Sequence, residues 1–434
     1  MKRTGIVLLF WFTVVGFLAD NTTAQEIAAP IILDQGDMVY GAVWNADETQ
    51  ILTWGGKSVK TWTAEGVLLH SFSTDDYLQS ASWNRDESLI LVWGGSSVLI
   101  WNVDGTARAR LEHENVMGAR WNEMGTRILS YGQDNTARMW DSEGRLLTTF
   151  VHDYWVVGAT WNGAEDQILT WSFDNTARLW DTDGNLLATF EHDKRVLKAE
   201  FVADDSQVLT LSVDHTIKLW SVSGERVWTA THPDTPFLAS DHMRHSSLLS
   251  WAFEKVFLWD FATGALITTL VNPSDVSGAM WIDDDTKIIS WTIDSTLSIW
   301  SLDDKPPLTL PVPHRGREGE VIWNPREKQI VIVVNAFMEC QENCRQAVYM
   351  WGLDGQLRAT LEHPAYIYGA LFSPSFDQLL TWSKDNSARI WTLEGELLAV
   401  LQHDGSVVGA RWNSDGTQVL TWSDEDQKVK IWNT

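Results

Sequence analysis

The chain is 434 residues long, 44% hydrophobic, and carries a formal charge of −26. That length suits several small cores or a repeat array better than one continuous core. The charge argues against nucleic acid or an anionic lipid surface as a partner and suits solubility or basic partners, although acidic residues in solvated turns account for most of it. Tryptophan is strongly over-used, with 27 copies against 7 Tyr and 15 Phe, which points to a repeated structural slot.

In chain order, the first element is a leader. Lys2 and Arg3 form a basic start, Gly5 to Leu18 an apolar stretch, and Thr22-Thr23-Ala24 a small-residue cleavage site. Residues 1–24 therefore read as a secretory signal cut after Ala24, too short for the ~20 apolar residues of a spanning helix. No cysteine stands directly after the apolar stretch, which argues against a lipoprotein anchor. The mature chain, 25–434, is expected to be periplasmic or extracellular, without stable membrane insertion. Next comes Glu26 to Gln35, with Ala-Pro-Ile-Ile-Leu inside it. A forty-residue rhythm follows and occupies the rest.

One copy of the repeat runs from His152 to Asp193. Val156 to Trp161 opens it. Gln167 to Asp174 alternates, Leu169 and Trp171 on one side, Thr170 and Ser172 on the other. Asp174-Asn175 supplies a tight turn, Thr176 to Trp180 a further strand, and Asp181 to Asn185 a second turn with Gly184 free to take positive φ. Leu186 to Phe190 closes the unit. Four short antiparallel strands with polar turns and no helical period predict an all-β propeller blade. The same frame recurs at Trp62, Trp101, Trp140, Trp180, Trp220, Trp259, Trp300, Trp351, Trp391 and Trp432. The one long interval, before Trp351, holds Cys340 and Cys344, so it reads as an insertion in a hairpin. In an oxidising compartment those two cysteines are the disulfide candidate.

These tryptophans, some followed by Asp as at Asp141, Asp181 and Asp260, resemble the WD-repeat family, and the resemblance covers essentially all of the mature chain. It implies a structural tetrad, here His152, Ser172 (or Thr170), Asp174 and Trp180. Equivalent sets are His113, Asp134, Trp140; His192, Asp214, Trp220; His363, Asp385, Trp391; and His403, Asp426, Trp432, with Asp six residues before Trp each time. The sequence departs from the family where Glu-His, Val-His or Gln-His replaces Gly-His, where Phe253 takes the Asp slot after His232, and where the Trp300 repeat keeps Asp294 but lacks the His.

The last repeat ends just after Trp432 with three strands, so 26–35 is expected to supply its fourth and close the ring, which removes exposed sheet edges. Ten repeats exceed the usual 4–8 blades of a propeller. Uniform spacing favours a single closed ring of about ten blades over a seven-bladed ring with three extra repeats or two smaller rings. Large side chains at Trp54, Trp93, Tyr131, Trp171, Trp251, Trp291, Trp382 and Trp422 suit the gaps between blades of a wide ring.

Ser172, His152 and Asp174 list the residue types of a catalytic triad, yet the pattern recurs in most blades, which suits a bracing network better than a nucleophile. His242 and His245, at i and i+3 on a strand, point to opposite faces and form no metal pair. Asp204-Asp205 and Asp283-Asp284-Asp285 lack the spaced oxygens of a Ca²⁺ loop. Arg138, Arg178 and Arg389 suit pairing between blades. No cofactor, metal or enzyme motif is read. The family resemblance implies a scaffold for a protein or peptide, bound across one entrance, and the loop residues Tyr154, Trp155, Lys194, Arg195 and Tyr366 are the contact candidates. The alternative is an exported propeller enzyme or carbohydrate-binding module with a site in the central channel, where His242, His245 and His314 would converge with carboxylates.

Overall fold

The computed structural model describes residues 28–233, 237–244, 247–284, 286–294, 296–303, 305–310, 316–336 and 346–434, with backbone alone for 237–244, 316–319 and 336. The leader and the cysteine pair lie outside the described residues. Among the described residues every regular element is a strand, and the strands form ten antiparallel sheets of four. Blades 1 to 10 span 41–73, 80–111, 116–151, 156–191, 196–231, 237–271, 276–310, 316–363, 367–402 and 407–433. Ile31–Asp34 adds the outer strand of blade 10, pairing Ile31 with Ile431 and Asp34 with Lys428. The cysteine-bearing insertion joins Gln329–Ala336 to Gln346–Gly352 within blade 8.

Blade 4 shows how local sequence builds the unit. Its strands are Val156–Trp161, Gln167–Ser172, Thr176–Asp181 and Leu186–Glu191. Asn175, at φ 75°, takes the left-handed turn between the middle strands, a conformation that Asn tolerates better than most residues. Ile168, Leu169 and Thr170 are all fully buried, because the second strand has no solvent face. Ile168 and Trp180 pack with Leu129, Met139 and Phe150 of blade 3. Leu169, Ala177 and Phe190 pack with Val196, Ala199 and Val208 of blade 5. Every blade is sandwiched this way, so the core is ten inter-blade clusters, each shared between neighbours. One of them, Leu33, Val39, Ile51, Trp62, Leu420 and Val429 among its members, joins blade 10 to blade 1 and closes the ring. All ten repeats therefore sit in one circle, and the seven-plus-three arrangement is not adopted.

The width of that circle explains the extra tryptophans. Neighbouring sheets taper less in a ring of many blades, and the space near the axis must be filled to native density. Trp54, Trp93, Tyr131, Trp171, Trp251, Trp291, Trp382 and Trp422 each pack into a different inter-blade cluster. Room for the indole comes from the inner strand. Gly158 pairs with Trp171, and a Cβ on Gly158 would stand 2.0 Å from the indole Cζ2. Gly41, Gly278, Gly369 and Gly409 face Trp54, Trp291, Trp382 and Trp422 in the same way.

Blades are also latched at the turns joining first and second strands. Glu165 of blade 4 accepts from the Asn122 side chain at 2.6 Å and from the Glu123 N–H of blade 3. Glu87 does the same to Asn45 and Ala46, and Asp205 accepts from the Gly163 N–H at 2.6 Å. At the ring closure Glu48 of blade 1 accepts from Asn413 and Ser414 of blade 10.

Gly158→Ala is expected to destabilise the chain by about 1–3 kcal/mol through overpacking. In a Trp171→Ala background the same change is expected to cost much less. Denaturant unfolding midpoints of the four proteins check this, and an equal cost in both backgrounds refutes the glycine–indole constraint.

Candidate functional site

Among the described residues, five blades carry a complete chain of hydrogen bonds from an indole to a carboxylate. In blade 4 the Trp180 indole donates to Thr170 Oγ1 at 2.8 Å, Thr170 meets His152 Nε2 at 2.7 Å, and His152 Nδ1 meets Asp174 Oδ2 at 2.8 Å. The indole can only donate and the carboxylate can only accept, so the chain runs from Trp to Asp through a neutral imidazole protonated on its Asp side. Blade 5 repeats it with Trp220, Thr210, His192 and Asp214, blade 9 with Trp391, Thr381, His363 and Asp385, and blade 10 with Trp432, Thr421, His403 and Asp426. In blade 3 the ring is turned over, with His113 Nδ1 on Ser130 and Nε2 on Asp134.

This corrects the assignment of Ser172 to the tetrad. Thr170, on the same face of the strand as Ser172, holds that place because its hydroxyl is the one within reach of both the Trp180 indole and His152. Ser172, also buried, points its hydroxyl at the Tyr154 carbonyl, 2.9 Å away, and accepts from the Asp174 N–H at 2.9 Å. It braces the loop instead of completing a triad. The structure also finds members that residue type concealed. In blade 1, Gln35 takes the histidine place, accepting from Thr53 at 2.6 Å, while Trp62 donates to Thr53 at 2.9 Å. In blade 7, Asn272 does so against Ser290, which accepts from Trp300. In blade 6, His232 meets Ser250 at 2.7 Å and Trp259 donates to Ser250. The spacing to the strand-ending Trp would have located Asn272. Gln35, just after the strand Ile31–Asp34, stands as far before Trp62 as His232 stands before Trp259, so the same spacing would have located it, and only its residue type concealed it.

Arg178 crosses the same junction, donating to Asp174 and Asp153 and, at 2.8 Å, to the Val151 carbonyl at the end of blade 3. Arg389 spans Asp385 and the Glu362 carbonyl likewise. These basic side chains bind blades together.

The connections entering each blade and the turns between its middle strands share one end of the ring. There Tyr154 stacks on Trp155 with ring centroids 5.4 Å apart, Trp155 stacks on Phe173 at 6.4 Å, and the Arg195 guanidinium lies 5.0 Å over Phe173. The residues run in series across the top of blades 4 and 5, and Tyr154 is 43% exposed. Phe173, in a turn position held by polar residues or glycine in several other blades, was missed in sequence. The Lys194 side chain is exposed beside this series, its carbonyl accepting from Ser212. Tyr366 joins a different patch, 5.4 Å from Tyr368 on blade 9. Blades 4 and 9 stand opposite in a ring of ten, so Tyr366 faces the series across the entrance.

The channel wall of blades 2 to 5 holds a cavity of about 410 Å³ lined by Trp93, Arg120, Tyr131, Thr160, Trp171 and Lys198 among others. Lys198 pairs with Glu200 at 2.9 Å. The side chains of His242, His245 and His314 lie outside the described residues. Among the described residues no group of three His, Cys, Asp or Glu side chains could hold a metal ion, and no helix is long and apolar enough to cross a membrane. Asp205 serves as a latch, and Asp283 is paired with Lys287 and Lys328.

Burial holds the tetrad histidines below their usual range, to about 4 for His192 and His403, and outweighs the attraction of Asp214 and Asp426. Burial pushes the Asp214 carboxyl upward, but the hydrogen bond from Thr216 and the other contacts, His192 included, outweigh it and hold it at about 2. A histidine depressed in the folded state binds fewer protons than in the unfolded chain between the two pKa values. Stability is therefore highest above about pH 6.5, the unfolded value, and falls as pH drops toward 4. Thermal melting across pH 7.5 to 4 is expected to show that fall, and the double variant His192→Gln/His403→Gln is expected to flatten it. Thr170→Val, which strips the shared hydroxyl from both Trp180 and His152, is expected to cost about 1–3 kcal/mol, read as a shift in the urea midpoint.

A family model described as WD domain, G-beta repeat matches residues 105–141, 184–221 and 395–433, which fall on blades 2–3, 4–5 and 9–10. A search of curated proteins finds no match. Similar solved structures include an eukaryotic initiation factor, 15% identical, with a TM-score of 0.57 over 82% of this chain and 96% of that one. They also include the C-terminal WD40 domain of Sif2, 14% identical, with a TM-score of 0.48 over 94% and 99%. A third is the computationally designed Ika8 protein, 17% identical, with a TM-score of 0.49 over 84% and 99%. At these identities the first shows the fold alone. Three matched repeats, ten equivalent blades and the recurrent indole–hydroxyl–imidazole–carboxylate chain lead to one conclusion: the chain is a ten-bladed β-propeller that carries WD repeats.

Proposed function

We propose that this propeller is an exported, non-catalytic scaffold that grips a protein or peptide segment across the end of the ring where Tyr154, Trp155, Phe173 and Arg195 lie in series. That series is the observation that carries the reading. Stacked aromatics with few rotatable bonds, capped by a guanidinium, offer large contact area at low entropic cost, which is the character of interface hot spots. Lys194 adds a second cation beside it, and the Tyr366–Tyr368 patch offers a second grip across the entrance. WD-repeat propellers are typically interaction scaffolds, which supports the same reading.

The non-catalytic part rests on what the reactive-looking groups already do. Each His–Asp pair is tied to a buried indole through a hydroxyl, and the pattern repeats in five blades. The serine of the apparent triad is turned away from the imidazole and bonded to backbone. Export rests on the basic start, apolar stretch and small-residue site of residues 1–24.

The test is a pulldown from the exported fraction of the native host, comparing the mature chain with its Tyr154→Ala/Trp155→Ala variant. A specific partner recovered by the first and reduced at least tenfold with the second supports the reading, as does a mature N-terminus at Gln25. A partner retained equally by both, or an uncut chain found only in the cytoplasm, overturns the site or the export respectively.

A further inference from the structure

Ten copies of one blade act as an internal control: a residue that leaves the common pattern stands out against nine others. The largest concentration of such departures surrounds a cavity of about 900 Å³, built by the inner strands of blades 7 to 10 at the end of the ring opposite the aromatic series. At four other junctions of that end a carboxylate from one blade accepts from a backbone N–H of the blade before it, at Ala46, Glu123, Gly163 and Ser414. In blades 8 and 9 the equivalent residues are Pro325 and Pro374, which have no N–H to give. The latching acids Glu48, Glu87 and Glu165 sit at φ 58°, 60° and 57°; in blade 9 that same left-handed position, φ 60°, is taken by Phe376. Two carboxylate latches are thus missing beside one cavity; at the junction of blades 8 and 9, Asn324 and Arg326 donate instead to the Phe376 and Ser375 carbonyls, at 2.9 and 2.7 Å, which leaves the Phe376 side chain free to add apolar surface.

The wall of that cavity departs in the same sense. The side chain just before the strand-ending aromatic of the inner strand is Met280 in blade 7, Ile322 in blade 8 and Leu371 in blade 9. In blades 2 to 5 the same place holds Ser82, Arg120, Thr160 and Glu200, and in blade 1 Val43, so the run of three adjoining large aliphatic side chains is what sets blades 7 to 9 apart. Leu371 is 39% exposed, which leaves an aliphatic surface facing solvent without cover from this chain.

The column ends in blade 10 with Arg411, an exposed guanidinium on the cavity wall with no ion pair or hydrogen bond among the described residues. At the other side, Asp283 is neutralised by Lys287 and Lys328, and Asp284 stands three blades away from Arg411. The volume matches that of a small-molecule site, which is characteristically apolar with few placed polar groups. From this geometry we infer that the cavity binds an acyl-chain carboxylate, its hydrocarbon tail along Met280, Ile322 and Leu371 and its carboxylate on Arg411. A guanidinium at an apolar wall selects an anionic head, and the proximity of Asp284 to the tail end disfavours a second one.

Isothermal titration of the mature chain with dodecanoate, dodecanol and dodecylamine, each below its micelle concentration, tests this. Dodecanoate is expected to saturate one site, dodecanol to bind more weakly, and dodecylamine not to bind. Arg411→Gln is expected to weaken dodecanoate on the order of tenfold, the worth of one charge-assisted hydrogen bond, and to leave dodecanol unchanged. Leu371→Asp is expected to abolish both, with its melting curve recorded as the folding control. Because that variant introduces a buried-edge charge, a diazirine-bearing dodecanoate on the unmutated chain provides the second measurement, and its adducts are expected on the peptide spanning 367–376 or 279–284. Absence of saturable dodecanoate binding, equal binding of the amine, indifference to Arg411→Gln, or adducts confined to other blades overturns the assignment.

Discussion

No blade of this protein can bury itself. A four-stranded sheet whose middle strands read Ile-Leu-Thr-Trp and Ala-Arg-Leu-Trp has apolar side chains on both faces, and only a neighbour on each side removes them from water. That constraint propagates from blade to blade and is relieved only when the last meets the first. The closing strand Ile31–Asp34 and the cluster of Leu33, Ile51, Leu420 and Val429 are therefore of a kind with the nine other junctions.

Hydrophobic burial alone would leave the angle and spacing of neighbouring sheets poorly defined, and two sets of interactions define them. Near the rim the indole–hydroxyl–imidazole–carboxylate chain fastens the connection entering a blade to that blade's own middle strands, so each connection is held at both ends. Near the axis an aromatic ring fills the gap and a facing glycine makes way for it. Where a blade lacks the first device it shows what the device supplies. The hydroxyl place of blades 2 and 8 is occupied by Val92 and Ile332, and the Trp101 and Trp351 indoles there are left without a partner among the described residues. An unpartnered buried N–H is costly, and these blades tolerate it because the aliphatic replacement still packs.

Repetition also separates structure from function without any alignment of relatives. Groups that recur around the ring, such as the His–Asp pairs of five blades, are explained by blade architecture. Groups confined to two or three adjoining blades need another account. The aromatic series from Tyr154 to Arg195 and the apolar column from Met280 to Leu371 are of that second kind. They lie at opposite ends of the ring, so occupation of one leaves the other accessible.

Much of this was legible in residue order. Periodicity of two, turn residues and tryptophans forty residues apart determine four strands per unit and ten units, because strand patterning and turn chemistry are local properties of the backbone. The histidine–aspartate partnership was legible too, since its spacing recurs. What residue order left open was whichever feature depends on direction in space. Thr170 and Ser172 sit on the same face of one strand, and only the packed blade shows which hydroxyl lies under Trp180 and which under the Tyr154 carbonyl. Gln35 stands at the same separation from Thr53 that histidine keeps from its hydroxyl partner in other blades, and only the packed blade shows an amide oxygen doing the work of an imidazole there. Tyr154, Trp155 and Arg195 became neighbours through Phe173, while Tyr366 moved to the opposite side, because the ring sets distance by blade number and not by residue number. The sequence by itself determined the unit and its count; the closed circle decided who touches whom, since closure is a property of all ten interfaces together.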